Sequence, residues 1–111
     1  MQVSSWKFMV KSEEVTDKTV FGLMLGKANC RQFFDTLEQV SVEIDGNDHV
    51  FSLARENFWT TCPELRDTNT EGTPIRDWLE KHDSLTWRPY KPSRFELEPL
   101  GNGRFRLAVQ R

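Results

Sequence analysis

The strongest constraint on the fold of this chain is the alternation of apolar and charged residues in FELEPLGNGRFRLAV, residues 95–109. Side chains that alternate in this way point to opposite faces of a β-strand, and the central glycines indicate a turn. The segment therefore predicts a β-hairpin with one buried face and one solvated face. A turn centred on Gly101 pairs apolar with apolar and acid with base: Leu97 with Phe105, Phe95 with Leu107, Glu98 with Arg104, and Glu96 with Arg106.

The two arginines of this hairpin either bind an anionic partner or balance the glutamates across the strand. An arginine that already faces a carboxylate is a poor phosphate contact, so we interpret Arg104 and Arg106 as counterions on a solvated face. Opposite-charge pairs of this kind contribute about 0.2–1 kcal/mol each and mainly specify register.

A second hairpin is predicted over residues 40–53, where apolar and polar residues alternate on both sides of Asp-Gly-Asn-Asp. A Gly46-Asn47 loop places Val42 opposite Phe51, whereas an Asn47-Asp48 loop places Ile44 opposite Phe51. Both registers keep the same apolar face, so the pattern predicts the hairpin and leaves its pairing open.

Two further strands are expected in the N-terminal part of the chain. From Trp6 to Lys11, the residues Trp6, Phe8 and Val10 alternate with Lys7, Met9 and Lys11, which indicates one strongly apolar face. Residues 19–25 form a second and more buried strand, because Gly22 and Gly26 weaken a helix there.

Helices are predicted at two places by apolar spacing and capping residues. Asn29 caps a helix over residues 30–39, with Cys30, Phe33, Phe34 and Leu37 on its buried face. Thr73 and Pro74 begin a helix over residues 74–83, with a shared face formed by Ile75, Trp78, Leu79 and His82.

Two segments between these elements are less regular. Residues 54–67 predict a short or broken helix through Phe58, Cys62 and Leu65, interrupted by Pro63. Residues 84–93 contain two prolines and predict an extended, polyproline-like loop.

Together these elements predict one α+β domain over residues 1–111, with a mostly antiparallel sheet of about five or six strands packed against two or three short helices. A chain of 111 residues is long enough for one domain and too short for two ordinary ones. No internal repeat or linker divides it.

Charge and cysteine usage indicate where the protein works. The net charge is −2, with 9 basic and 15 acidic residues in 1–85 against 6 basic and 2 acidic in 86–111. The basic C-terminal part either faces a partner or docks on the acidic body, and we favour the second. Cys30 and Cys62 are expected to be free thiols of a reducing compartment. With no apolar run of about 20 residues, we expect a cytoplasmic protein outside the membrane.

No catalytic or metal-binding motif is recognisable. A Cys62–His82 pair is conceivable, but both residues fall in apolar helical patterns that indicate packing. The spacings of the cysteines and histidines do not match a zinc site. We therefore expect no cofactor and no metal, and we favour a non-enzymatic role, although a small enzyme without a motif stays open.

The remaining feature is WRPYKPSR, residues 87–94, which interleaves aromatic side chains with cations: the candidate binding residues are Trp87, Arg88, Tyr90, Lys91 and Arg94. Aromatic and arginine side chains dominate protein interfaces, and the same chemistry can stack bases and neutralise phosphates of single-stranded nucleic acid. The alternative is that the segment has only a structural role: Trp87 folds into the core, and the cations keep the loop soluble.

Residues 58–107 resemble a family of small uncharacterised bacterial proteins, a domain of unknown function. The likeness lies in a Phe-Trp…Cys…Glu-Leu-Arg segment, a helix with Trp-Leu, and a closing Pro-Leu-Gly-x-x-Arg-Phe-Arg-Leu hairpin. Arg88 separates Trp87 from Pro89 where the family places Pro directly after Trp. The resemblance implies that these residues belong to one folded unit, and it leaves the function open.

The sequence thus favours a non-catalytic protein-binding or adaptor module that uses residues 87–94. A weak single-stranded nucleic-acid-binding protein is the alternative, with nucleic acid ranked below a protein partner. The oligomeric state is open.

Overall fold

The computed structural model describes residues 1–10, 18–34, 37–53 and 63–110 of the chain. These residues form seven strands, two α-helices and one short 3₁₀ turn. In chain order they are β1 (Gln2–Val10), β2 (Lys18–Met24), α1 (Lys27–Phe33), β3 (Gln39–Ile44), β4 (Asn47–Ser52), β5 (Glu64–Arg66), the 3₁₀ turn (Asp67–Asn69), α2 (Pro74–Lys81), β6 (Arg94–Gly101) and β7 (Arg104–Val109).

The described strands lie in one sheet, in the order β4-β3-β7-β6-β1-β2-β5. Strands β3 and β7 are parallel, and the other neighbours are antiparallel. The α+β class is confirmed, but five or six strands is too few and the sheet is mixed. The parallel pair arises because the closing hairpin inserts β7 beside β3, a contact between distant segments that local patterns do not contain.

The core lies between the inner face of this sheet and helix α2. The inward side chains alternate along each strand, as on β3, where Val40, Val42 and Ile44 are buried. Ile75, Trp78 and Leu79 of α2 are buried against this face, and the Trp78 ring meets Phe95 edge-on. The helix packs on both β2 and β3, which stand apart in the sheet order, so the sheet curls around it.

Helix α2 begins at Pro74, as predicted, and ends at Lys81, two residues before the predicted end. Thr73 occupies the cap position, but its side chain makes no cap hydrogen bond there. The buried carboxylate of Asp67 accepts from the N–H groups of Ile75 and Arg76 at 2.8 and 2.9 Å. Asp67, eight positions before Ile75, therefore accepts hydrogen bonds from the free N–H groups in the first turn of α2.

Helix α1 differs from its prediction of residues 30–39. It runs from Lys27 to Phe33, and Asn29 lies inside it rather than at the cap, which is Gly26. The Asn29 side chain instead donates to the carbonyl of Leu25 at 2.8 Å. Cys30 and Phe34 are buried as predicted, and the Phe34 ring stacks on Phe105. The Phe33 side chain lies outside the described part of the chain.

Strand β1 begins earlier than predicted and faces the other way. Val3 and Ser5 point into the core, whereas Trp6 and Phe8 are half-buried on the opposite face. There the Arg66 guanidinium lies 5.6 Å from the Trp6 ring centre and 4.4 Å from that of Phe8. The aromatic side chains of the predicted apolar face of β1 thus form cation–π contacts with Arg66 outside the main core. Lys11, the last residue of the predicted strand, lies outside the described residues.

The predicted helix of residues 54–67 is wrong over its described part. Glu64–Arg66 form strand β5, and Leu65 pairs with Leu23 of β2. A Cβ at Gly22 would lie 2.5 Å from the Leu65 carbonyl oxygen, so glycine permits this close pairing. Phe58 and Cys62 lie outside the described residues.

Both hairpins are present, with registers other than those predicted. In the first, Val40 pairs with Phe51 and Ile44 with Asn47, around an Asp45-Gly46 loop. Both loop residues have positive φ, 52° and 82°, as a two-residue type I′ turn requires.

The closing hairpin is shifted by two residues from the predicted pairing. Leu97 pairs with Leu107 and Glu98 with Arg106, and a bulge follows between Pro99 and Gly101. The inward face is unchanged because a two-residue shift preserves it.

Candidate functional site

The segment predicted as an extended loop contains a tight turn at Arg88–Lys91. The Lys91 N–H donates to the Arg88 carbonyl oxygen at 3.0 Å, and Pro89 occupies the second position. Tyr90, at the third position, has a φ of 63°. These features identify a type II turn, whose third position normally holds glycine or asparagine. An L side chain in the left-handed region costs about 1–2 kcal/mol, so the turn carries tyrosine at a conformational cost.

The Tyr90 side chain is also fully exposed to solvent. A tyrosine usually buries its ring and leaves only the hydroxyl in water. Neither core packing nor backbone geometry therefore accounts for an aromatic ring at this position. The ring is held away from the protein, where a second molecule can reach it.

Trp87 packs on strand β1 beside this turn. The Lys7 ammonium lies 4.6 Å from the Trp87 ring centre and 3.5 Å from the Leu85 carbonyl oxygen. Trp87 is half-buried. It is therefore neither a core residue, as the structural alternative required, nor a free stacking platform, because a cation covers part of it.

Two serines fix the end of the segment to the sheet. The Ser5 N–H donates to the Ser93 carbonyl oxygen at 2.8 Å, and the Ser93 N–H donates to the Ser5 hydroxyl at 2.9 Å. Ser5 is buried on the inner face of β1. These two hydrogen bonds therefore anchor the C-terminal end of the segment to strand β1.

Four cations belong to this segment or contact it. Arg88, Lys91 and Arg94 are exposed, and Lys7 lies beneath the Trp87 ring. No described carboxylate lies within ion-pair distance of any of them. These positive charges are therefore not neutralised by the described part of the protein.

Arg104 and Arg106, in contrast, are balanced by acidic neighbours. Arg106 donates to Glu43 on the parallel strand β3, and this bond with the Glu43 charge raises the pKa of the guanidinium. Arg104 lies 3.7 Å from Asp48 of β4. The counterion interpretation holds, but the carboxylates come mainly from the first hairpin. Glu96 instead contacts the α-amino group of Met1 at 2.7 Å.

Trp87, Arg88, Tyr90 and Lys91 belong to the segment that Lys7 contacts. Arg94 begins strand β6 and pairs with Ser4, so its side chain points to the face of the sheet opposite to that of Lys7 and Met9. The sequence pattern placed Lys7 and Met9 on one face of β1, which is correct. That pattern gave no indication that this face would meet residues 85–94, because the contact joins segments almost 80 positions apart.

The described residues give no support to a reactive cysteine or to a metal site elsewhere in the protein. Cys62 lies outside them, and the His82 ring packs against Trp78 in a tilted arrangement, with 4.1 Å between ring centres. Burial raises the pKa of the Cys30 thiol to about 11, so it is un-ionised and unreactive near neutral pH. Within residues 1–10, 18–34, 37–53 and 63–110, no three acidic, histidine or cysteine side chains are placed to hold a metal ion.

No helix in the described part of the chain is long and apolar enough to cross a membrane. Comparison of the whole chain with protein-family models, with curated proteins and with solved structures found no match.

Proposed function

We propose that this protein is a non-catalytic binding module that recognises another protein through the Arg88–Lys91 turn. The observation that carries the proposal is Tyr90, an aromatic side chain held fully exposed in a backbone conformation that favours glycine. Of the neighbouring residues in this segment, Trp87, Arg88 and Arg94 are of the types that dominate protein interfaces, and Lys91 adds a positive charge.

A protein partner fits this surface better than single-stranded nucleic acid. Binding of unpaired bases uses several open aromatic rings along a basic groove. At this surface, Lys7 lies over the Trp87 ring, so Tyr90 alone among the described aromatic residues here is open on both faces. The four cations support the nucleic-acid alternative, which is why the experiment includes an oligonucleotide.

The proposal includes a cytoplasmic location. Cys30 is a free thiol in the core, which is compatible with a reducing compartment.

The test compares capture by the immobilised protein and two variants from a nuclease-treated extract of the cells that express it. Tyr90→Ala removes the exposed ring, and Val109→Ala removes an apolar side chain that is 52% exposed on β7. We expect polypeptides retained by the parent and by Val109→Ala to be lost with Tyr90→Ala. Equal retention by all three would place the interface elsewhere.

A labelled oligothymidylate tests the alternative. Binding that falls steeply with salt and is lost with Tyr90→Ala would favour nucleic acid over a protein partner.

A further inference from the structure

A groove of about 560 Å³ opens on the inner face of β1 and β2, beside Leu85 and Thr86. Its apolar wall includes Met9, Phe21 and Leu85. Met9 is 61% exposed, whereas Val3 and Ser5, which lie on the same face of β1 toward its other end, are buried. The groove therefore presents apolar surface to solvent.

Lys7 links the groove to the segment that carries the turn. Lys7 lines the groove, and the same ammonium group contacts the Leu85 carbonyl and the Trp87 ring. From Trp87 the chain enters the turn that displays Tyr90. A ligand lying along this surface would therefore meet an apolar site, a cation and an aromatic ring in succession.

The charge of this surface selects among ligands. Lys7, Arg88 and Lys91 are positive, and the described residues supply no carboxylate to pair with them. An apolar groove does not suit a sugar-phosphate chain. A carboxylate-rich peptide with an apolar side chain is complementary to both features.

We infer that the groove and the turn together bind an acidic linear segment of another protein. One aliphatic or aromatic side chain of that segment fills the groove beside Met9 and Leu85, and its carboxylates contact Lys7 and the cations of the turn. This inference rests on the proposed function and adds the class of partner and a second contact site.

The probes are three synthetic peptides of about ten residues, titrated into the ¹⁵N-labelled full chain and followed by backbone amide shifts. One peptide has glutamates on both sides of a central phenylalanine. The second has alanine in place of phenylalanine, and the third has glutamines in place of the glutamates. Shift titrations detect millimolar binding, so a weak site is still measurable.

We expect the first peptide to shift the amides of Met9, Leu85 and Tyr90, and each altered peptide to bind about tenfold more weakly. Shifts confined to other strands, no shifts at millimolar peptide, or equal binding by all three peptides would overturn the inference. Stronger binding by an oligothymidylate at the same salt concentration would also overturn it.

Variants separate this inference from the proposed function. Met9→Glu places a charge in the groove, and Val109→Glu makes the same change at an exposed apolar residue of β7. We expect about tenfold weaker binding for Met9→Glu only. Binding lost with Tyr90→Ala but unchanged with Met9→Glu would remove the groove and retain the binding module.

Sedimentation of the unliganded protein tests a second copy as the occupant. A dimer that dissociates with Met9→Glu would contradict the inference, because the groove would then be covered by this chain itself.

Discussion

The Lys7 ammonium lies 4.6 Å from the centre of the Trp87 ring, and this contact joins strand β1 to the segment that carries Tyr90. It explains how a proline-containing connection keeps a defined position on the sheet. Together with the Ser5–Ser93 hydrogen bonds, it fixes the segment on both sides of the turn. The geometry of the proposed site therefore depends on a contact between residues 80 positions apart.

Removing the positive charge of Lys7 should destabilise the protein slightly. Lys7→Met keeps the unbranched stem and loses the cation–π contact, so we expect the free energy of unfolding to fall by about 0.5–1 kcal/mol. Urea denaturation measures this change, with Lys18→Met as a control at an exposed lysine of β2. Equal effects of the two substitutions would show that the Trp87 contact adds nothing to stability.

A methyl group at Gly22 should separate β5 from β2. The added Cβ would lie 2.5 Å from the Leu65 carbonyl oxygen, a backbone atom that moves only if the strand moves. We expect Gly22→Ala to lower the free energy of unfolding by about 1–3 kcal/mol. Thr19→Ala, at an exposed position of the same strand, serves as the control. An unchanged unfolding midpoint for Gly22→Ala would contradict this pairing.

The carboxyl group of Asp67 should make stability depend on pH. Burial raises its pKa above the ordinary value of 3.8, and the N–H bonds from Arg76 and Ile75 oppose this without reversing it. The folded state thus holds the proton more tightly than the unfolded state. The stability contributed by this group is complete below pH 3.8 and is lost as the pH rises through the raised pKa.

Asp67→Asn removes this titration and is the variant to compare. We expect the free energy of unfolding of the parent, relative to Asp67→Asn, to decrease as the pH rises from below 3.8 to neutral. Urea denaturation over that range gives the difference directly. A difference that grows with pH would mean that the N–H bonds dominate and that the pKa is lowered.

Two double-mutant cycles test the register of the closing hairpin. In the structure Glu98 lies opposite Arg106 across the hairpin, so alanine substitutions at these residues should show a non-zero coupling energy. The cycle for Glu96 and Arg106, which the sequence pattern placed opposite each other, should show none. Coupling in the second cycle and not in the first would restore the register predicted from sequence.

The hairpin pairings show what the apolar pattern could and could not predict. Alternation identifies which residues face the core, but a shift of two residues preserves that face and leaves the register undetermined. Turn chemistry would have decided it, because Asp45-Gly46 and Asn102-Gly103 are both dipeptides that favour positive φ. The carboxylates that balance Arg104 and Arg106 have another origin: β7 lies beside β3, which brings Glu43 and Asp48 within reach of these arginines.

Contacts between distant segments account for the other features that the sequence did not predict. Strand β5 forms because Leu65 meets Leu23 in the core, and Asp67 caps α2 from outside the helix. Neither is visible in a local pattern. At the candidate site, the sequence pattern singled out the segment from Trp87 to Arg94, whereas the contact of Lys7 with this segment depends on the position of β1 in the sheet and is not visible in a local pattern.

Tyr90→Gly tests the central claim most directly, because it removes the exposed ring and supplies the residue that the turn geometry favours. We expect the free energy of unfolding to be unchanged or higher by up to ~1 kcal/mol, while capture of the partner and binding of the acidic peptide are lost. Retained binding, or a protein that unfolds more easily than the parent, would contradict the claim that Tyr90 is displayed for recognition rather than for folding.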